Sequence, residues 1–412
     1  MKYIVLLGDG MAGLPLSELG GKTTLEYANT TNMDALAGEG VLGLARTVPD
    51  GMPPGSDVAN LAVLGYDPRK YYTGRAPLEA ASIGVDLGPT DVAYRCNLVN
   101  ISCTEKECGV RMFCRQCVMG DFSAGHISTE EASPLIEMLG REIGSDDVKF
   151  YPGVSYRHLM VWKGGDDTPK CTPPHDISGQ KIAEHLPRGG KAEFLVNLMK
   201  RSAVCLEDNP VNKARIEAGK LPANSVWLWG QGRKPALPSF VEKYGMTGAM
   251  ISAVDLMKGI AVFLGFKVIN VPGATGYIDT NYIGKAEGAL KALGEVDFVY
   301  VHVEAPDESG HGGNVKHKLK AIEDFDDKVV GTVSNALKGR DDCRIIVMPD
   351  HPTPIAIKSH TSEPVPFIFW DAANRKAGGE RKYSEKSAAG TGVFLEEGWR
   401  LLEYAIQGGN EF

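Results

Sequence analysis

The chain lacks any run of about 18 consecutive apolar residues, so no segment reads as a membrane-spanning helix. Its start carries only five apolar residues, Tyr3 to Leu7, before Gly8-Asp9. That core is too short for a secretory leader, and a cytoplasmic location is expected. A basic run is also missing: 44 Lys and Arg stand against 52 Asp and Glu, a net charge of −8. Nucleic acid is thereby excluded as the main partner, although a few local cations or metal ions can still hold a phosphorylated metabolite. Cysteine is sparse, with eight in 412 residues. A disulfide scaffold is excluded, and in a cytoplasmic chain the thiols are expected to be reduced or to bind metal. Internal repeats and low-complexity tracts are absent.

What is present is ordinary globular composition, 43% hydrophobic and 23% charged, over a length of two to three domains at roughly 150 residues each. Tyr3–Leu7 reads as a strand covered on both faces. A helix is predicted from an Asn32 N-cap to Gly40, and another from Val58 onward after the turn-forming stretch 49–57. From about 246 helices and short apolar strands alternate: helical 253–264 then strand 266–271, helical 279–293 then strand 298–303, helical 316–337 then strand 344–348. A last strand at 365–370 precedes a C-terminal helix over 392–406. Such alternation implies parallel crossovers. Residues 76–240 break the rhythm, being rich in Pro, Gly and polar residues and carrying all but one of the cysteines. They read as a second domain inserted into the first, which then comprises 1–75 and 241–412.

Gly8-Asp9-Gly10-Met11-Ala12-Gly13 matches the dinucleotide pattern G-x-G-x-x-G after a strand. Pro15 and Gly20-Gly21 interrupt the helix that fingerprint needs, and no second strand ending in an acid follows, so NAD is not expected. Gly21-Lys22-Thr23 fails as a P-loop because Leu16 stands where its first glycine belongs. The stronger signal is a set of ligand-type residues at strand ends: Asp9, then Asp307 and His311, then Asp350 and His351, with His360 just ahead of the last strand. In an open parallel sheet the carboxyl ends of the strands share one edge, where ligands bind. Their mixed oxygen and nitrogen chemistry suits Mn²⁺ or Zn²⁺ rather than Mg²⁺ or Ca²⁺. Two such ions could stabilise both oxygens of an in-line phosphoryl displacement. Ser56, in PGSDVAN at a loop-to-helix junction, is the candidate nucleophile; a bare N-cap is its alternative role.

Several segments carry a resemblance: LLGDGMAG at 6–13, PPGSDVANLAVLGYDP at 53–68, GDFSAGHISTEEA at 120–132, WLWGQGRKP at 227–235, HVEAPDESGHGG at 302–313, and MPDHPTP with HTSEPVP within 348–366. The chain resembles the archaeal-type 2,3-bisphosphoglycerate-independent phosphoglycerate mutases of the alkaline phosphatase superfamily. The resemblance implies an α/β fold, an alkaline phosphatase-like, mostly parallel sheet flanked by helices with a smaller inserted α+β domain. It implies two divalent ions, one on Asp307, His311 and His360, the other on Asp9, Ser56, Asp350 and His351, and no 2,3-bisphosphoglycerate. It implies that Ser56 takes the phosphoryl group from 3-phosphoglycerate and returns it to the 2-hydroxyl. Lys258 is similar to the family's lysine near the nucleophile. In the inserted domain His126, Arg157, His158, His175, Asp176, Arg233 and Lys234 are candidates for gripping the carboxylate and shuttling protons.

Two matters stay open in the sequence. The metal motifs alone do not separate a mutase from a related phosphotransferase or a phosphatase, because acceptor choice lies in the inserted domain. Cys103, Cys108, Cys114 and Cys117, spaced C-x₄-C-x₅-C-x₂-C, could hold a structural zinc. Their central loop is shorter than in zinc ribbons, which favours unrelated thiols in a β-hairpin.

Overall fold

Short β-branched and aromatic runs bounded by Gly, Pro and Asp become strands. In chain order they are β1 Lys2–Gly8, β2 Val41–Ala45, β3 Val92–Cys103, β4 Cys117–Asp121, β5 Val148–Tyr151, β6 Arg157–Trp162 and β7 Ser225–Arg233. Then follow β8 Gly248–Ile251, β9 Lys267–Ile269, β10 Phe298–Val303, β11 Cys343–Met348, β12 Val365–Asp371 and β13 Phe394–Leu395. The computed structural model describes residues 1–103, 113–376 and 378–409. Among these, no helix is long and apolar enough to cross a membrane. The chain separates into two compact units, Met1–Tyr72 with Ala236–Phe412, and Thr73–Pro235.

The first unit is built on an eight-stranded sheet ordered β13-β2-β12-β11-β1-β10-β8-β9. β1 lies at its centre and pairs in parallel with β10 on one side and β11 on the other. Its residues Ile4 to Leu7 are buried on both faces, as the unbroken apolar run requires. β12 runs antiparallel to both β11 and β2. The sheet is thus mostly parallel, as expected, and the reversal at β12 matters for the site. It turns the start of β12, not its end, toward the edge where β1, β10 and β11 finish, so that His360 approaches the same edge.

Three local expectations are revised. The helix foreseen over 392–406 begins only at Leu401, because Phe394–Leu395 pairs with Leu44–Ala45 as an edge strand. The amides of Leu44 and Arg46 there donate to Val393 and Leu395. Helical 316–337 is three pieces, Val315–Asp324, a π-helical turn Phe325–Gly331, and Thr332–Leu337. Asn32 is not the cap of its helix, which spans Thr31–Glu39. Instead Asp326, presented by the π-helical turn, accepts from the backbone amides of Asn32 at 3.1 Å and Met33 at 2.7 Å. A distant carboxylate thus satisfies donors that a local side chain would ordinarily take.

The second unit carries a five-stranded antiparallel sheet, with β4, β6 and β7 pairing to the long β3 and β5 to β6. Helices Thr129–Glu142 and Ala192–Glu207 bury Leu135, Ile136, Leu139, Leu195, Leu198 and Met199 with strand residues Tyr94, Leu98, Trp227 and Leu228 in one core. The hairpin expected for the cysteine segment is formed by β3 and β4. The expectation of unrelated, reduced thiols is overturned, since Cys103 and Cys117 are cross-strand partners with Cα atoms 4.3 Å apart and form a disulfide. That separation is at the short limit of what a disulfide spans. Cys108 lies outside the described residues.

Asp326→Ala strips two helix amides, one buried and one partly buried, of their acceptor. It is expected to lower stability by about 1–3 kcal/mol, read as a lower denaturation midpoint with unchanged denaturant dependence.

Candidate active site

At the carboxyl edge of β1, β10 and β11 four carboxylates and four imidazoles converge. Asp9 follows β1 directly, its amide donating to Val303 O at 2.9 Å. Asp350 and His351 follow β11, and the Asp350 carboxylate is fixed by Gly10 N–H at 3.1 Å, His351 N–H at 2.9 Å and Asn60 Nδ2 at 2.7 Å. After β10 the chain turns at once into a short helix, Ala305–His311. Its i, i+4 spacing places Asp307 and His311 on one face. His311 Nε2 lies 3.2 Å from Asp307 Oδ2, and His360 Nε2 lies 3.5 Å from Asp307 Oδ1. The two imidazole nitrogens face each other at 2.9 Å, while His311 Nδ1 donates to Lys358 O at 3.0 Å, which fixes the ring.

Three overlapping groups of three could hold a metal ion here: Asp307, His311 and His360; Asp9, Asp350 and His351; and Asp9, His302 and Glu304. In each, the ligand atoms lie within 4.8 Å of one another. Ser56 joins the second group, with Oγ 3.2 Å from His351 Nε2. It is the first residue of the helix Ser56–Val63, and Gly55 is the cap position. Its hydroxyl is therefore not used as an N-cap and stands in the first turn, among amides suited to an anion. Asn60, one turn on, donates to both Ser56 O at 2.8 Å and the Asp350 carboxylate, and accepts from Tyr300 OH at 2.5 Å. This chain of bonds registers the Ser56 helix against the sheet edge.

The electrostatics of this edge are unbalanced. Burial, reinforced by Asp350, Glu304 and Asp307, holds the Asp9 carboxyl well above the ordinary range. Burial and then Asp307 push Glu304 up to about 8. Burial opposes ionisation of Asp307 too, but hydrogen bonds from His311 and His360 prevail and hold it well below the usual range. Against the same burial, Asp307 raises His311 to about 9. Burial lowers His351. Asp9 Oδ1 is buried without a hydrogen-bond partner. An orphaned carboxylate oxygen among like charges, facing imidazoles with nitrogens already turned inward, is the donor set a divalent cation fits.

Several contributors were not singled out in the sequence. His302, on β10, is buried with Nε2 2.8 Å from Asp9 Oδ2 and Nδ1 3.2 Å from Ser252 Oγ. Lys318 is wholly buried, and its ammonium donates to Gly10 O at 2.7 Å, Ala12 O at 3.0 Å and Thr353 O at 2.7 Å. It ties the loop after β1 to the loop after β11. Nothing in a helical lysine's sequence context announces three carbonyl partners. Gly10 has φ +59°, and a Cβ there would meet Thr353 Oγ1 at 2.4 Å and Asp307 Oδ1 at 2.5 Å. The glycine pattern at 8–13 thus serves close packing at this edge. Lys258 lies on the helix Asp255–Leu264, its ammonium 3.2 Å from Asp255 and not on any of the seven groups above.

In the second unit, four of the seven candidates gather on a belt of aromatic rings. His126 (φ +50°) stands edge-on to Tyr156 with centroids 6.1 Å apart, and Arg157 lies over Tyr156 at 5.2 Å. His175 stands edge-on to Trp229 at 5.2 Å, with Asp176 3.6 Å from its Nε2. Arg233 is held by both oxygens of Asp167 at 3.1 Å, and Lys234 by Asp86 at 2.8 Å. His158 points the other way along β6 and is buried, its Nδ1 accepting from Gly153 N–H at 3.0 Å. Near the belt, Arg75 and the buried Arg95 share Glu79 at 2.9 and 2.8 Å, and Arg95 lies over Trp229 at 4.2 Å. The i, i+4 pair in Arg75-Ala76-Pro77-Leu78-Glu79 was the available sequence signal.

Burial lowers His158 from 6.5 to about 3. Between those values the unfolded chain binds a proton that the folded one does not, so stability falls as pH drops through that window. The slope from this group is at most about 1.4 kcal/mol per pH unit. His158→Asn, which keeps an acceptor for Gly153, is expected to flatten the pH dependence of the unfolding midpoint between about pH 6.5 and 3.

A family model described as 2,3-bisphosphoglycerate-independent phosphoglycerate mutase matches residues 37–212. A probable enzyme of that name from Geobacter sulfurreducens is 57% identical over 98% of this chain and 100% of its own. One from Methanosarcina barkeri is 53% identical over 94% of this chain and 95% of its own. Among solved structures, a Pyrococcus horikoshii protein superposes with a TM-score of 0.80 at 29% identity, covering 98% of this chain and 96% of that one. The cofactor-independent phosphoglycerate mutase of Thermoplasma acidophilum gives 0.64 at 26% identity, covering 99% of both. With relatives this similar along almost its whole length, the chain belongs to the family of 2,3-bisphosphoglycerate-independent phosphoglycerate mutases.

Proposed function

We propose that the chain interconverts 3-phosphoglycerate and 2-phosphoglycerate through a phosphoserine on Ser56, in the cytoplasm and without 2,3-bisphosphoglycerate. The observation that carries this reading is Ser56 Oγ, 3.2 Å from His351 Nε2 in the first turn of its helix, with the buried Asp9 Oδ1, which has no hydrogen-bond partner, facing the same imidazole at 3.5 Å. Asp307, His311 and His360 would hold one divalent cation, and Asp9, Ser56, Asp350 and His351 the other. Bound there, Mn²⁺ or Zn²⁺ would supply positive charge to the phosphoryl group in transfer and favour the serine alkoxide.

The chain's own groups do the rest. Ser56 Oγ bonds to phosphorus as the bond from phosphorus to the glycerate 3-oxygen breaks, and that oxygen takes up a proton. The glycerate turns while bound. Its 2-oxygen then gives up a proton and bonds to phosphorus as the Ser56 oxygen leaves. Amides of the helix's first turn favour the phosphoryl charge throughout, and Lys258 is assigned a further cationic role. Of the inserted unit's candidates, Arg157, His126, His175 and Asp176 suit carboxylate recognition and proton movement best, being exposed around one aromatic belt. His158 is buried, and Arg233 and Lys234 already hold carboxylates.

The test is a mutase assay on 3-phosphoglycerate without added bisphosphoglycerate. Wild type is expected to be active, to lose activity on chelation, and to regain it with Mn²⁺ or Zn²⁺. Ser56→Ala is expected to fall by more than about a thousandfold. Release of inorganic phosphate in place of 2-phosphoglycerate would assign water as the acceptor, and activity surviving in Ser56→Ala would remove the phosphoserine.

A further inference from the structure

The segment Met348-Pro349-Asp350-His351-Pro352-Thr353-Pro354 carries one polar side chain that the phosphotransfer reading leaves unused, Thr353. It is wholly buried, and its backbone is held at both ends. Its N–H donates to Ala12 O at 3.2 Å, and its carbonyl accepts from Lys318 Nζ at 2.7 Å. Gly310 leaves it room, since a Cβ there would meet Thr353 O at 2.6 Å and Cγ2 at 2.8 Å. So confined, the side chain has little freedom to turn. Its Oγ1 is hydrogen-bonded to Asp307 Oδ1 and lies 3.3 Å from His351 Nδ1.

Donor counting fixes the direction of both bonds. A hydroxyl has one proton, and an ionised carboxylate has only acceptors. The Thr353 proton therefore goes to Asp307 Oδ1, and its lone pairs are left for His351 Nδ1, which has to donate. A neutral imidazole with its proton on Nδ1 has a bare Nε2. That nitrogen of His351 faces Ser56 Oγ at 3.2 Å and Asp9 Oδ1 at 3.5 Å.

We propose that Thr353 is a positioning residue, which holds His351 in the Nδ1–H form and so keeps Nε2 open toward Ser56 and a cation. The assignment rests on the phosphotransfer reading in taking Asp307 as an ionised ligand and Nε2 as the working nitrogen. One hydroxyl then joins a ligand of one cation to a ligand of the other, so neither carboxylate nor ring can turn away alone. Valine has nearly the same shape but would leave the His351 Nδ1–H and Asp307 Oδ1 without the partner they share.

Nitrogen-15 labelling of the histidines reads the tautomer directly in the full chain, both zinc-loaded and metal-stripped. His351 is assigned by the signal lost in His351→Asn. Wild type is expected to keep the Nδ1–H form after stripping, and Thr353→Val to lose it. Thr353→Val is also expected to bind Mn²⁺ about 10–100-fold more weakly in competition with a chelating dye. Its kcat is expected to fall while the KM for 3-phosphoglycerate stays near wild type, because the bonds lost are between protein groups. Thr353→Ser, which keeps the hydroxyl, is expected to restore the tautomer and most of the affinity. An Nε2–H form in stripped wild type would overturn the proposal, and that result needs no variant to fold. Wild-type metal affinity in Thr353→Val would overturn it too. The tautomer is read without turnover, so an inactive wild type would count against the phosphotransfer reading and not against this assignment.

Discussion

The organising constraint in this molecule is buried like charge. Asp9, Asp307 and Asp350 sit at the end of one sheet with almost no solvent exposure, and Glu304 is close behind them. Carboxylates gathered in such surroundings cannot all ionise without cations to balance them. The protein supplies imidazoles, a buried ammonium tying the loops together, and a set of amides, yet Asp9 Oδ1 still has no hydrogen-bond partner, with His351 Nε2 no nearer than 3.5 Å. On the proposed reading this unbalanced state is the design, since the missing charge is what divalent ions bring and what a phosphoryl group in flight needs.

Parallel topology makes that concentration possible. β1, β10 and β11 end side by side, so three loops distant in sequence deliver their acidic and imidazole groups to one edge. The reversed β12 adds His360 from the opposite chain direction. The Asp350–Asn60–Tyr300 bonds then fix the Ser56 helix to the same edge. On the proposed reading, positioning of this kind, in groups already locked by packing, is what lets the weakly nucleophilic Ser56 hydroxyl attack.

Much of the first unit was legible in the sequence, because strands buried on both faces leave unbroken apolar runs and their ends carry the chemistry. β1, β10, β11 and β12 are within a residue or two of their expected bounds. What was not legible depends on distant partners. The Asp326 cap, the edge pairing of Phe394–Leu395 and the three carbonyl partners of Lys318 are tertiary facts with no local signature. In the inserted unit, residue type named seven candidates but could not distinguish Arg233, engaged with Asp167, from Arg157, exposed over the half-buried ring of Tyr156. The cysteine cluster was visible in its spacing, but the Cys103–Cys117 bridge was not, because it depends on the register of β3 against β4.

The most direct measurement of the central claim is covalent. Enzyme mixed with 3-phosphoglycerate, quenched in acid within a turnover and digested, should carry one phosphoryl group on the peptide containing Ser56, and chelated enzyme should carry none. Label on another residue, or none on any residue while 2-phosphoglycerate accumulates, would contradict the account.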